Sequence, residues 1–333
     1  MTEHSKIPLP GDMAKARSSV ERAIEGFDLA RLGGIASPLP SEQQRRVVMR
    51  EVKIEPAVPV APVAEPTVPA NAAPVAPAQP AIAVRPVRFG EARHPVDRAH
   101  LRDNGLIVPE GSVTALLEEF RIVKRQLLLQ AAELRRTLGM AAQRVLVCSP
   151  LPGEGKTYCA TNLALAIAAE KESEVVLVDA DFAKPSVLSA LGLPGGPGLM
   201  DALADPAVDV ADCVIGTDIP GLWVLPAGNA TTSDTEYLAS SRTRQVLDRL
   251  TEGAPHRMVI FDSPPALAAS PAAELAQYVG QALVVCRADR TGQSALEDAI
   301  ALLSGCPNIQ LLLNAVQFSP SGRRFGSYYG YTG

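Results

Sequence analysis

Hydrophobic positions follow two regimes along the chain. From Gly111 onward they are periodic. Leu116, Phe120, Val123, Leu127, Ala131, Leu134 and Leu138 recur in steps of three or four, which predicts a long amphipathic helix with Ser112 placed to cap its start. Short apolar runs follow: RVLVC from Arg144, EVVLV from Glu174, LWVL from Leu222, RMVIF from Arg257, ALVVC from Ala282 and IQLLL from Ile309. Helical stretches separate them, the first expected from Lys156 to about Glu170. Continuous apolar strands alternating with helices predict an α/β fold, a mostly parallel sheet with helices on both faces.

Ahead of Gly111 the periodicity fails. Residues 1–50 are polar and mixed, with one short amphipathic candidate from Ser18 to Leu32. There Ser18 and Glu21 have capping-box spacing, and Val20, Ile24 and Phe27 follow at helical steps. From about 54 to 87 the chain is Pro, Ala and Val with few charges. Each proline fixes φ and removes a backbone donor, so this stretch is expected to be a polyproline-II spacer. The expected organisation is a largely disordered arm over 1–110, a folded domain over 111–318, and a flexible Tyr/Gly tail over 319–333.

Composition narrows the class. The 333-residue chain is 47% apolar, enough for a sizeable core. Its formal net charge of -5 and its 4% aromatic content argue against nucleic acid as a partner. No uncharged apolar run reaches the roughly 18 residues of a membrane span, and the opening residues do not read as a signal peptide. The five cysteines form no C-x-x-C pair, so they are expected to be reduced, buried thiols. The four histidines cluster with no acids or cysteines, which disfavours a zinc hydrolase.

The strongest local signal is Ser149-Pro-Leu-Pro152-Gly153-Glu154-Gly155-Lys156-Thr157-Tyr158, between an expected strand and an expected helix. Gly153 and Gly155 allow backbone N–H groups to form a nest around phosphate oxygens, and the helix start adds its positive end. Lys156 supplies charge toward β- and γ-phosphates, and Thr157 a hydroxyl toward Mg²⁺. The strict P-loop pattern wants glycine where Pro150 stands. Two further strands end in acids: VVLVDAD brings Asp179 and Asp181 to its end, and VIFD brings Asp262. One such acid could be a helix cap. Together with Thr157, Asp179 and Asp262 form a set suited to Mg²⁺ carrying a nucleotide.

The chain ends SYYGYTG, so Tyr328, Tyr329 and Tyr331, half of its six tyrosines, lie among glycines in the last six residues. They read either as an aromatic low-complexity end or as presented phosphoacceptors.

The ordered runs SPLPGEGKT, NLALAIA, VVLVDADFAKPSV, GLMDALAD, LPAG, TEYLAS, VIFDSPPALAAS, GQALVV and LLLNAV resemble the bacterial tyrosine kinases. They are similar, more narrowly, to the tyrosine autokinases of exosortase-associated exopolysaccharide loci. The resemblance covers about Gly111 to Gly333. It implies a P-loop NTPase fold and an ATP- and Mg²⁺-dependent protein-tyrosine kinase that phosphorylates its own tail at Tyr328, Tyr329 and Tyr331. Lys156, Asp179, Asp181 and Asp262 would be catalytic, one aspartate after the second strand acting as base. Pro152 through Tyr158 would cradle the nucleotide, and Asn314 would sit at the adenine. Glu118, Arg121 and Lys124 resemble a self-association motif, with Lys for its last Arg, and their spacing predicts all three on one helix face. A homo-oligomer is therefore implied. So is a membrane-spanning polysaccharide chain-length regulator as activating partner, with the chain cytoplasmic and recruited to the inner face of the plasma membrane. The alternative is an ATPase switch or scaffold of the partition or Min type. That group carries a second lysine five positions before the Walker lysine, where this chain has Leu151.

Overall fold

The computed structural model describes residues 85–229, 231 and 233–316. Eight strands among them form one sheet in the order β1-β4-β5-β3-β6-β2-β7-β8. These are β1 (Arg93–His94), β2 (Arg144–Cys148), β3 (Glu174–Asp179), β4 (Ile215–Thr217), β5 (Leu222–Leu225), β6 (Arg257–Asp262), β7 (Gln281–Arg287) and β8 (Ile309–Asn314). Every neighbouring pair is parallel except β4 with β5. The expected α/β class and mostly parallel sheet are what the chain adopts.

The apolar runs become central strands because both faces are covered. Alternate residues of each strand feed separate cores. Val145 and Val147 of β2, Val175 and Leu177 of β3, and Ile260 of β6 pack with α2 (Ala115–Leu138) and α3 (Lys156–Ala168). Leu146, Val176, Val178, Val259 and Phe261 face the opposite core. That core holds α5 (Leu199–Ala204), α7 (Ser241–Thr251), α8 (Pro271–Ala276) and α9 (Gln293–Leu302). Short helices α1 (Arg98–Asp103), α4 (Val187–Leu191) and α6 (Asp234–Leu238) complete the set. Helix α2 starts two residues later than expected: Thr114, not Ser112, caps it, its side chain accepting from the Leu117 N–H at 3.2 Å.

The folded part reaches back beyond the boundary expected at Gly111. Residues 85–110, assigned to the arm from sequence, carry β1 and α1 and bury Val87, Phe89, Val96, Leu101, Leu106 and Ile107. The cause is tertiary. Val87 donates its N–H to the Glu252 carbonyl at 3.0 Å and accepts from the Arg257 guanidinium at 3.1 Å. Phe89 meets Trp223 edge-on at 5.0 Å, and Arg257 and Arg93 lie 4.2 Å over Phe89 and Trp223 respectively. These contacts gather at the N-terminal ends of β5 and β6. All five cysteines are free and buried, as expected. No helix among the described residues is long and apolar enough to cross a membrane.

Candidate nucleotide site

Parallel register brings the chemistry to one edge. Asp179 is directly opposite Asp262 across the β3–β6 pairing, and Val147 of β2 is opposite Asp262 on the other side. The loop leaving β2 therefore begins beside both acids. It runs from Ser149 to Gly155 and opens α3.

Gly153 and Gly155 hold φ of +77° and +95°, the left-handed region that a side chain disfavours and that a phosphate nest requires. At Gly155 a Cβ would also lie 2.2 Å from the Asn314 Nδ2, so that side chain would have to give up its place against the loop. Asn314, at the end of β8, donates from Nδ2 to the Glu154 carbonyl at 2.8 Å, and its Oδ1 accepts from the Ala315 N–H. In this conformation the side chain expected at the adenine braces the loop. Glu154 is fully buried, accepting from the Leu151 N–H at 2.8 Å and from the Thr291 hydroxyl. Thr291 also accepts from the Arg287 N–H at 2.8 Å. The loop is thus held from the ends of both β7 and β8. Pro152 is exposed at its crest. The Tyr158 side chain turns away, its hydroxyl donating to the Gly105 carbonyl at 3.0 Å, so only the Tyr158 backbone is left toward the cradle.

Lys156 is largely buried at the start of α3, and the Thr157 Oγ1 is 3.2 Å from the Ser186 Oγ. Asp262 has no exposure, and neither carboxylate oxygen has a hydrogen-bond partner among the described residues. Burial pushes its carboxyl up to about 7, with the Thr157 hydroxyl opposing and the Asp179 charge reinforcing the shift. Asp179 is different. Its Oδ2 accepts from the Ser186 and Val187 N–H groups at 2.8 and 2.9 Å, and its Oδ1 from the Asp181 N–H at 3.3 Å. Burial raises its carboxyl to about 6, partly offset by those amides. Asp179 therefore organises the start of α4, the helix-cap role open to it from sequence. Asp181 is partly exposed and accepts from the Lys184 N–H at 3.1 Å.

A buried carboxylate without a partner, beside a lysine and a threonine hydroxyl, is costly unless a cation completes it. That arrangement fits Mg²⁺. Among the described residues no three His, Cys, Asp or Glu are grouped to hold a metal. Mg²⁺ takes one or two protein oxygens and keeps phosphates and waters for the rest, and Asp262 with Thr157 offers that many.

The expected interface triad comes apart. Glu118 and Arg121 pair with each other on the helix surface. Lys124 is buried, 7% exposed, its Nζ donating to the Ala166 carbonyl at 3.2 Å and pairing with Glu170 at 2.7 Å. Positions 117, 120, 124, 127 and 131 form the buried stripe of α2, so Lys124 belongs to the inner face, where it caps the end of α3. Lys124 therefore does not share the exposed face of Glu118 and Arg121, which corrects the reading of all three on one helix face. Tyr328, Tyr329 and Tyr331 lie outside the described residues, as do the Ser18–Leu32 candidate and the spacer up to residue 84; the spacer's last residues are described, and Val87 is packed into the fold.

Sequence reasoning missed the Glu154–Thr291 bond and the approach of Arg290 to the loop. Thr291 and Arg290 are 137 and 136 positions from Glu154, and no local pattern announces the meeting.

No protein-family model matches the chain. It is 29% identical over 180 residues to the tyrosine-protein kinase ptk of Acinetobacter johnsonii, covering 54% of this chain and 24% of that protein. It is 30% identical over 191 residues to the tyrosine-protein kinase YwqD of Bacillus subtilis, covering 57% of this chain and 77% of the relative. The matched segment spans about a quarter of the length of the Acinetobacter relative and of the tyrosine-protein kinase wzc of Salmonella typhi. Among solved structures, the kinase domain of the Escherichia coli tyrosine kinase ETK superposes with a TM-score of 0.54 at 20% identity, over 70% of this chain and 92% of that one. The chimerical protein CapA2B2 does so with a TM-score of 0.54 at 21% identity, over 70% and 95%. Both likenesses are of fold.

Proposed function

The chain belongs to the bacterial tyrosine kinases, and from that premise we propose that it is an ATP:protein-tyrosine autokinase acting on its own C-terminal tyrosines. The observation that carries the reading is the partnerless, fully buried Asp262 beside Lys156 and Thr157 at the mouth of a glycine loop. Mg²⁺ there would neutralise charge on the transferred phosphoryl group, held by Asp262 and Thr157. Lys156 would bind the β- and γ-phosphates from the other side. Asp179, saturated by amides, holds the segment that carries Asp181 and Ser186. Asp181, the more open of the two acids, would orient the incoming phenol and accept its proton. Phosphoryl transfer asks little covalent chemistry of a protein, so positioning supplies most of the rate.

The acceptors are Tyr328, Tyr329 and Tyr331 of a neighbouring copy. Each phosphate adds about −1.5 to −2 charge to a chain already at -5, which loosens an assembly of such copies. That cycle would regulate exopolysaccharide polymerisation and export together with a membrane-spanning chain-length regulator, at the inner face of the plasma membrane. The test is incubation with Mg²⁺ and ATP followed by mass-spectrometric mapping, with and without the regulator's cytoplasmic segment. Phosphate is expected on the three tail tyrosines, and none in Lys156→Met. Undiminished phosphotyrosine in the triple Tyr328/Tyr329/Tyr331→Phe variant would remove the tail as acceptor.

A further inference from the structure

Arg290 stands in the loop between β7 and α9, and its Nη1 comes within 3.7 Å of where a Cβ on Gly153 would lie. The guanidinium thus rests against the crest of the phosphate loop. It is exposed, and among the described residues it makes no side-chain hydrogen bond or ion pair. Its neighbour Asp289 does not neutralise it, because Asp289 pairs with Arg287 at 3.0 Å. The backbone that carries it is well fixed: Arg290 and Thr291 donate their N–H groups to the Arg287 carbonyl at 3.0 and 2.9 Å, and the Thr291 hydroxyl reaches Glu154 inside the loop. A cation without a partner among the described residues is therefore presented at the crest by a turn bonded to the loop itself.

Its side of the loop is informative. Strand β2 lies between β6 and β7. Asp262 ends β6 and marks the side where the metal and the terminal phosphate belong. Arg290 follows β7, so it stands at the other end of a triphosphate laid across the loop. Lys156 is the one cation within the loop, and Leu151 leaves the position of a second one apolar. We propose that Arg290 binds the α- and β-phosphates, the part shared by ATP and ADP, and sets nucleotide affinity without taking part in transfer. This rests on the nucleotide-binding reading above and adds a binding residue to it.

Calorimetric titration of ADP and of a non-hydrolysable ATP analogue, each with Mg²⁺, tests the assignment on the full chain. Arg290→Ala is expected to weaken both about tenfold or more, as loss of a charged hydrogen bond to phosphate does. Arg290→Lys should recover part of it, and Arg136→Ala, an equal charge change on α2, should leave both unchanged. In turnover, Arg290→Ala should raise KM and spare kcat. Unaltered affinity for both nucleotides overturns the proposal, and so does weakening confined to the ATP analogue, which would put Arg290 at the γ-phosphate. If Arg290→Ala does not fold, the comparison of wild type with Arg290→Lys decides by the same criterion. A wild-type chain that binds neither nucleotide overturns this assignment and the kinase reading together; binding that ignores Arg290 overturns this assignment alone.

Discussion

Asp262 shows how one side chain links ligand and stability. Its carboxyl titrates near 7 in the fold, against 3.8 for an exposed aspartate. Between those values the folded state holds a proton that the unfolded chain has released, so stability falls as pH rises through the window. Asp179, raised to about 6, acts in the same direction. The ligand-free protein is expected to melt at a lower temperature at pH 8 than at pH 5. Asp262→Asn should flatten that slope and raise the melting temperature at pH 8; an unchanged slope would count against the buried-charge account. Mg²⁺ with nucleotide should flatten it as well, by completing the carboxylate. Thr291→Val removes the hydroxyl that serves buried Glu154 and is expected to cost about 1–3 kcal/mol in urea unfolding. The glycine loop, Lys156 and the Asp262 strand end were legible because each needs a residue type at a fixed local spacing. The Glu154–Thr291 bond and the amides around Asp179 depend on segments that meet only after folding, and no spacing encodes them.

Elements were legible in proportion to their length and burial. The central strands β2, β3, β5, β6 and β7 announce themselves as apolar runs because helices cover the sheet, and the edge strand β8 carries a similar run although Leu311 and Leu313 are exposed. β1 and β4, two and three residues long, are too short to show alternation. On α2 the alternation misled at a single position. Lys124 reads as a charged surface residue, yet its stem fills the inner stripe while its amine reaches the end of α3. Lys124→Ala is expected to lower unfolding free energy by about 1–3 kcal/mol through lost packing and an unserved carbonyl. Arg121→Ala should cost no more than about 0.5 kcal/mol, the worth of an exposed intrahelical pair. If α2 also mediates self-association, Arg121→Ala should act on sedimentation and Lys124→Ala on chemical denaturation. The reverse pattern would contradict the burial of Lys124.

At the scale of the molecule, residues 85–110 decide where the folded body starts. Six buried apolar side chains lie there. At roughly 1.5–3 kcal/mol each, an upper estimate, they match a typical domain's whole stability of about 5–15 kcal/mol. A chain starting at Arg85 retains every one of these side chains. One starting at Gly111 should fail to fold cooperatively; a cooperative transition from that shorter chain would show the segment to be dispensable. The proline-rich composition just upstream hid this, since the segment's order comes from Trp223, Glu252 and Arg257 and not from its own pattern.

The strap through Val87 and Phe89 has a geometric corollary. It is stitched to the floor of the sheet, while the glycine loop crowns the opposite rim, about 17 Å away along a six-residue strand. The chain thus enters its folded body on the rim away from the phosphate loop, with the length of a strand between that entry and Asp262.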